Sequence, residues 1–448
     1  MRFGSLFFLI VTLAGFQLSC QRGGEPAPGT RPVVVLVGLD GADWSLIDPL
    51  IDQGKLPLFK ELKEKGAWGT LRTATPAKSP VIWTSIATGK TKEKHGVVDF
   101  RATRTNSRGR HPLSSSLDIR EPMLWEMLGE RGRRSVLVNW YLSFPPQPLL
   151  GVNVSDFFAN SALGSGVTDS RSLRQTVFPP GRAPEFAAGI ERDYPRVLHK
   201  MNLPDYTVMY EQRVPGGHYT DFPIFDKLPE LVLQEGVVVD VADRLFRTET
   251  FDLFAVYLEL TDVVQHFAFM SLVDDAFKQT MRRAVTGGKL PEDLEQEAYR
   301  RIATIVCPVY QNAERILRRY LESEKYRQAY FVIVSDHGFS FVVRDDVINY
   351  NHIGQEKAPD GILIVRGPGV RPGRIPLARI YDVAPTILSM LGLPGDRSMD
   401  GAPLNRLLPA KRRLGFTTYR KGRSMPTGEN RTVDEQKLQE LRALGYLN

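Results

Sequence analysis

The residues able to do chemistry in this chain are three aspartates, three histidines and a serine, spread between positions 40 and 352. Asp40 closes the apolar, β-branched run Val33–Leu39 and is followed by Gly41. Asp262 and His266 stand four residues apart in Thr261-Asp262-Val263-Val264-Gln265-His266, so on a helical turn both project from one face and can grip one ion. Asp336-His337 follows the apolar run Ala329–Val334, and its two side chains diverge from a strand end. His352 closes Asn349-Tyr350-Asn351-His352. Mixed carboxylate and imidazole donors suit a divalent cation, zinc first and manganese second. Ser79, flanked by Lys78 and Pro80, falls at or near a helix N-terminus, where free N–H groups and the helix dipole favour an anion. A hydroxyl there suggests a nucleophile facing a phosphate. Each piece has a plainer alternative when taken alone: Ser79 as an N-cap, Asp40 as a helix cap, Asp336-His337 as a surface loop, His352 as a solvated loop residue. Their joint occurrence at predicted strand ends favours a metal site.

Such a set needs a scaffold that gathers distant strand ends. Val33–Leu39 reads as a strand buried on both faces of a parallel sheet. A helix with Leu46, Ile47, Leu50 and Ile51 on one side follows, then a second helix and the extended piece Trp68–Ala74. Thr75–Pro80 turns into the apolar helix Val81–Ala87, which ends at Gly89. Phe100–Asp118 is polar and basic and reads as a surface loop. A helix over Glu121–Gly132 precedes the strands Ser135–Trp140 and Gly151–Ser155. Residues 157–235, rich in proline and glycine, read as an insertion or cap over the sheet edge. Val237–Leu245 is helical and Leu253–Glu259 a strand. Ala276–Glu324 is helical, with breaks expected at Pro291 and Pro308. After Ala329–Val334 come His352, placed just before another strand, then the strand Gly361–Val365 and the helix Tyr381–Leu391. The alternation is that of a doubly wound α/β fold, whose ligands bind at the carboxyl edge of the sheet. One catalytic domain, 32–404, would hold every candidate residue, with a polar tail at 405–448 ending in the amphipathic stretch Leu438–Leu447.

At 42% hydrophobic and 24% charged residues the chain is an ordinary globular one, and its net charge of +7 is spread along the length. That balance suits anionic substrates, and no nucleic-acid module with interleaved aromatics is visible. The first 19 residues read as a secretory signal: a basic head, the apolar Leu6–Gly15, and Ser19 before Cys20. The cysteine resembles a lipobox cysteine, although Gln17 stands where an aliphatic residue is usual, and an ordinary cleaved signal is the alternative. Residues 20–31 would form a flexible tether. The expectation is an exported protein of the periplasm or cell envelope, held to the membrane by lipid on Cys20. With Cys307 as the one other cysteine, no disulfide framework exists.

The ordered set resembles the alkaline phosphatase superfamily, and most closely its type I phosphodiesterase/nucleotide pyrophosphatase family. The residues that carry the resemblance run from Asp40-Gly41 through Lys78-Ser79, Thr88-Gly89, Lys94-His95-Gly96, Thr261-Asp262 and Gln265-His266. They continue through Ser335-Asp336-His337-Gly338, His352 and Gly367-Pro368-Gly369 to Tyr381–Thr386 and Asp400-Gly401. The resemblance implies a three-layer α/β/α sandwich with a mostly parallel sheet. It also implies two divalent ions, one held by Asp40, Ser79, Asp336 and His337, the other by Asp262, His266 and His352. The implied activity is hydrolysis of phosphate esters through Ser79. One departure is Ile82, where the nucleotide pyrophosphatases carry an asparagine on the phosphoryl oxygen; Lys78, Asn349 or Asn351 would have to supply that contact. The sulfatase pattern, a Cys or Ser followed by x-Pro-x-Arg, is missing from Ser79-Pro80-Val81-Ile82-Trp83. A headgroup transferase using the same site, or a surface lipoprotein that binds ligands without catalysis, are the competing readings.

Overall fold

The computed structural model describes residues 31–105, 109–164, 170–213, 223–344, 347–352, 358–408, 415–420, 431–444 and 446. The signal segment, Cys20 and the tether through residue 30 lie outside the described residues.

The strand Val34–Leu39 (β1) is buried over its whole length. Val35, Val37 and Leu39 face one apolar cluster while Val34 and Leu36 face another, so the sheet separates two cores. In chain order the other strands of this sheet begin with Ala67–Arg72 (β2), Ser135–Val138 (β3), Gly151–Val154 (β4) and Val177–Phe178 (β5). Leu253–Leu258 (β6) and Tyr330–Val334 (β7) follow. Ser340–Arg344 (β8) and Val347–Asn351 (β9) form a separate hairpin. Gly361–Arg366 (β10), Gly373–Arg374 (β11) and Ala378–Arg379 (β12) return to the sheet.

The strand order is β11-β2-β10-β7-β1-β6-β3-β4-β5, with β12 also on β2. β1 pairs in parallel with β6 on one side and β7 on the other, with Leu39 opposite Leu258 and Gly38 opposite Val334. β3 and β4 extend the parallel part, whereas β10 runs antiparallel between β7 and β2. The result is a mixed, mostly parallel sheet. Against one face pack helices Trp44–Asp52, Pro57–Lys65, Pro223–Thr248, Leu260–Phe267 and Glu292–Leu321. Helices Ser79–Thr88, Leu124–Gly129 and Val383–Met390 cover the other, which completes three layers.

Four expectations change. Pro308 lies inside the continuous helix Glu292–Leu321. An internal proline costs about 3 kcal/mol, but this helix buries residues on both sides of it, among them Ile305, Val306, Val309 and Tyr310. His352 comes before the main-sheet strand β10, as expected, but it also closes the hairpin strand β9, which was not expected. Within 157–235 the described residues are largely helical, β5 adds an edge strand to β4, and position 235 falls inside the helix Pro223–Thr248. The stretch 100–118 is not all surface: Phe100 and Leu113 are buried against Leu441 of the tail helix Arg431–Ala443.

Candidate active site

Because β6, β1 and β7 are neighbours in register, their carboxyl ends deliver Asp40, Asp262 and Asp336 to one place. Asp40 leaves β1 with its N–H donating to Leu258 O at 3.0 Å. Its carbonyl accepts from the Thr261 hydroxyl, and its carboxylate accepts from the hydroxyl of Tyr257 on β6. The turn at Gly41 has φ +64°, and a Cβ there would come within 3.0 Å of Asp262 Oδ1. Gln265 donates to Gly41 O at 2.8 Å, while Tyr350 on β9 donates to Gln265 Oε1 at 3.2 Å. Thus Thr261 and Gln265 clamp the Asp40-Gly41 backbone, and Asp262 and His266 share the same helical turn.

The donor atoms converge closely. His337 Nε2 is 3.3 Å from Asp336 Oδ2 and 3.6 Å from Asp40 Oδ1. His266 Nε2 is 3.2 Å from Asp262 Oδ2 and 3.3 Å from His352 Nε2, while His352 Nε2 is 3.6 Å from Asp262 Oδ1. The rings of His337 and His352 stack at 3.6 Å between centroids and join the two groups. Asp40, Asp336 and His337 offer ligand atoms that all lie within 4.8 Å of one another, and so do Asp262, His337 and His352.

Burial without a counter-charge strains this arrangement. Asp40 is pushed well above the usual carboxylate range, first by desolvation and then by the neighbouring Asp336 and Asp262. Asp336 is raised to about 7, again chiefly by burial. For Asp262 burial is the largest influence and acts upward, but His266, His337 and Tyr446 together hold it below its ordinary value. His337 and His352 are pushed down by burial, so both favour the neutral form that ligates metal. Asp40 Oδ1, Asp262 Oδ1, Asp336 Oδ2 and the ring nitrogens of His337 are buried without a side-chain hydrogen-bond partner. Buried polar atoms are almost always satisfied. Three carboxylate oxygens orphaned together beside neutral imidazoles fit divalent cations.

Ser79 opens the helix Ser79–Thr88, as its sequence context suggests, with Lys78 at the N-cap position. Ser79 is 2% exposed and its Oγ also lacks a partner. This helix is seated by Trp83, whose ring is 5.1 Å from that of Tyr257 and fills the space over Gly38, where a Cβ would lie 2.8 Å away. The backbone of Ala77, two residues before Ser79, reaches His352. Lys78 points its ammonium at Asp99, a part-exposed ion pair. Asn349 and Asn351 lie on β9.

Two tyrosines escape sequence reasoning. Tyr257 sits in a strand whose other residues are apolar, and its hydroxyl was the available signal. Tyr446, in the tail, places its hydroxyl 2.9 Å from Asp262 Oδ2 and 3.0 Å from Nε2 of both His266 and His352. The amphipathic stretch Leu438–Leu447 includes it, but that pattern does not say what it packs against.

Strand ends that gather carboxylates and imidazoles in this order place the protein among the hydrolases of the alkaline phosphatase superfamily. A family model described as Type I phosphodiesterase / nucleotide pyrophosphatase matches residues 34–385, and the chain belongs to that family. No curated protein matches it in sequence. Among solved structures it is similar to a 2-O GAG sulfatase, at 11% identity and a TM-score of 0.49, over 86% of this chain and 76% of that one. It is also similar to a phosphonate monoester hydrolase from Silicibacter pomeroyi, at 14% identity and a TM-score of 0.43, over 85% and 77% of the two chains.

Proposed function

We propose that this protein hydrolyses phosphate esters, with Ser79 as the nucleophile and two divalent ions, zinc in preference to manganese, as cofactors. Asp40, Ser79, Asp336 and His337 would hold one ion, and Asp262, His266 and His352 the other. The observation that supports this most directly is the set of buried, partnerless donor atoms at the ends of β1, β6 and β7. Cations at these donors would lower the pKa of the serine hydroxyl and neutralise charge on the phosphoryl oxygens.

The chain's own groups do the rest. Ser79 Oγ attacks phosphorus in line with the departing alcohol. The P–O bond to that alcohol breaks, and a phosphoseryl ester forms. Attack by water on this ester breaks the Ser79–phosphorus bond and frees phosphate from a monoester or a phosphate monoester from a diester. The proton lost by Ser79 leaves with the alcohol, and one from the attacking water restores the hydroxyl. The N-terminal N–H groups of the helix Ser79–Thr88 face the same oxygens. With Lys78 engaged by Asp99, its part in holding the phosphoryl group is to balance charge at the rim. Export, with lipid on Cys20 anchoring the protein to the cell envelope, completes the proposal.

The test uses protein loaded with zinc. We expect about two zinc ions per chain, turnover of a subset of mono- and diester nitrophenyl phosphates, and weaker turnover of phosphonates and sulfate esters. Ser79→Ala should abolish that turnover in protein still carrying zinc at the donors of the second ion. Wild-type turnover by the alanine variant, or no bound zinc, overturns the reading.

A further inference from the structure

The tail contributes an atom to the second cation site. Tyr446 Oη, Asp262 Oδ2, His266 Nε2 and His352 Nε2 stand at the corners of a compact tetrahedron. Three of its edges, those from Tyr446 Oη, are 2.9, 3.0 and 3.0 Å. Two more, Asp262 to His266 and His266 to His352, are 3.2 and 3.3 Å. His352 lies 3.6 Å from the other oxygen of the Asp262 carboxylate. Donors around a tetrahedral zinc, at bonds of about 2.0–2.1 Å, stand roughly 3.3 Å apart. A phenol has one proton to give and gives it to Asp262, so its oxygen turns lone pairs toward the two imidazoles.

The tyrosine is held in this position from several sides. Its ring lies 4.7 Å from that of Phe100, and its N–H donates to Leu441 O at 2.8 Å. One turn back, Lys437 pairs with Glu440 at 2.9 Å and with Glu259 at 3.4 Å. Glu259 is three residues before Asp262 in the sequence. Glu440 accepts from Asn160 at 2.6 Å and from Gln234 at 2.9 Å. The helix Arg431–Ala443 is therefore docked beside the end of β6 that supplies the ion donors.

We propose that Tyr446 is a fourth, tail-borne donor to the second cation, so that the C-terminal segment closes that ion's coordination shell. The inference rests on the reading of Asp262, His266 and His352 as its other donors. An oxygen of a phosphate ester reaching this ion takes the corner that the phenol holds, and the tail must yield it.

Zinc affinity of the full chain, measured by competition with a chromophoric chelator, tests this together with the visible spectrum of the cobalt-loaded protein. Tyr446→Phe keeps the ring on Phe100 and removes only the oxygen. We expect one of the two zinc affinities to fall by at least the roughly tenfold that loss of an outer-shell partner costs. The other should stay unchanged, and the intense tetrahedral cobalt bands of the wild type should weaken. Equal affinities in the two proteins would make Tyr446 a bystander, and tighter binding by the variant would make it a competitor; either overturns this inference and leaves the metal site standing. A wild type that takes up no zinc overturns both. Tyr446→Ala, at the chain's end, serves as the second variant and should weaken binding at least as much.

Discussion

Removing the hydroxyl of Tyr257 isolates one contact on the site. That hydroxyl donates to Asp40, and the ring beneath it packs edge-on against Trp83 at 5.1 Å and Tyr141 at 5.6 Å. Tyr257→Phe keeps both ring contacts and leaves one oxygen of a 2% exposed carboxylate without its donor. Hydrogen bonds to charged groups contribute about 1.5–3 kcal/mol, and outer-shell partners of metal ligands typically govern about 10–100-fold in affinity. The ion bound by Asp40 should therefore be held about 10–100-fold more weakly. Because the proposed nucleophile, Ser79, is untouched, turnover should return at saturating zinc. A zinc titration against a chelator, with thermal melts in excess chelator and in excess zinc, reads both effects. The variant should melt below wild type in both conditions. If zinc affinity stays within twofold and both melts coincide with wild type, Tyr257 does not hold Asp40 in place and the account of the first ion's donors fails.

Gly338→Ala should lower stability by about 1–3 kcal/mol, the usual cost of overpacking, because its Cβ would fall 2.3 Å from Asp43 Oδ2. Asp43 caps the helix Trp44–Asp52 and accepts from Phe339 N–H, so a chemical denaturation curve should show the loss; a neutral result would mean the turn after His337 can shift freely. Glu235 is raised to about 8, first by burial, although the backbone N–H of Glu259 opposes that rise. Its folded pKa exceeds the ordinary 4.5, so the folded state holds the extra proton and stability falls as pH climbs from about 4.5 to about 8. Glu235→Gln should flatten the melting temperature across that window and melt above wild type at pH 9; parallel pH profiles would refute this. Stripping cations with a chelator should lower the melting temperature, and more so above pH 7, since Asp336 ionises near there against the buried charge of Asp262.

The core of the sheet was legible because β1, β6 and β7 are continuous apolar runs, a pattern that burial on both faces imposes on central strands. The site was legible for a related reason: those runs stop on acids, and Asp262-x-x-x-His266 carries its spacing openly. What stayed hidden depends on contacts between distant segments. Pro308 reads locally as a break, yet burial on both sides holds the helix together. Phe100 and Leu113 look like loop residues until Leu441 is placed over them. The antiparallel course of β10 leaves no mark on an apolar strand, and the amphipathic stretch Leu438–Leu447 does not announce that its Tyr446 meets Asp262.

The strand β1 also has a bearing on synthesis. Its partners, β6 and β7, lie more than two hundred residues further along, so an emerging chain carries Asp40 for about half of translation with no neighbour to dock against. On the proposed assignment, cation capture would work as a completeness check: a product truncated before His352 would lack a donor, and one truncated before Tyr446 would lack the proposed closure.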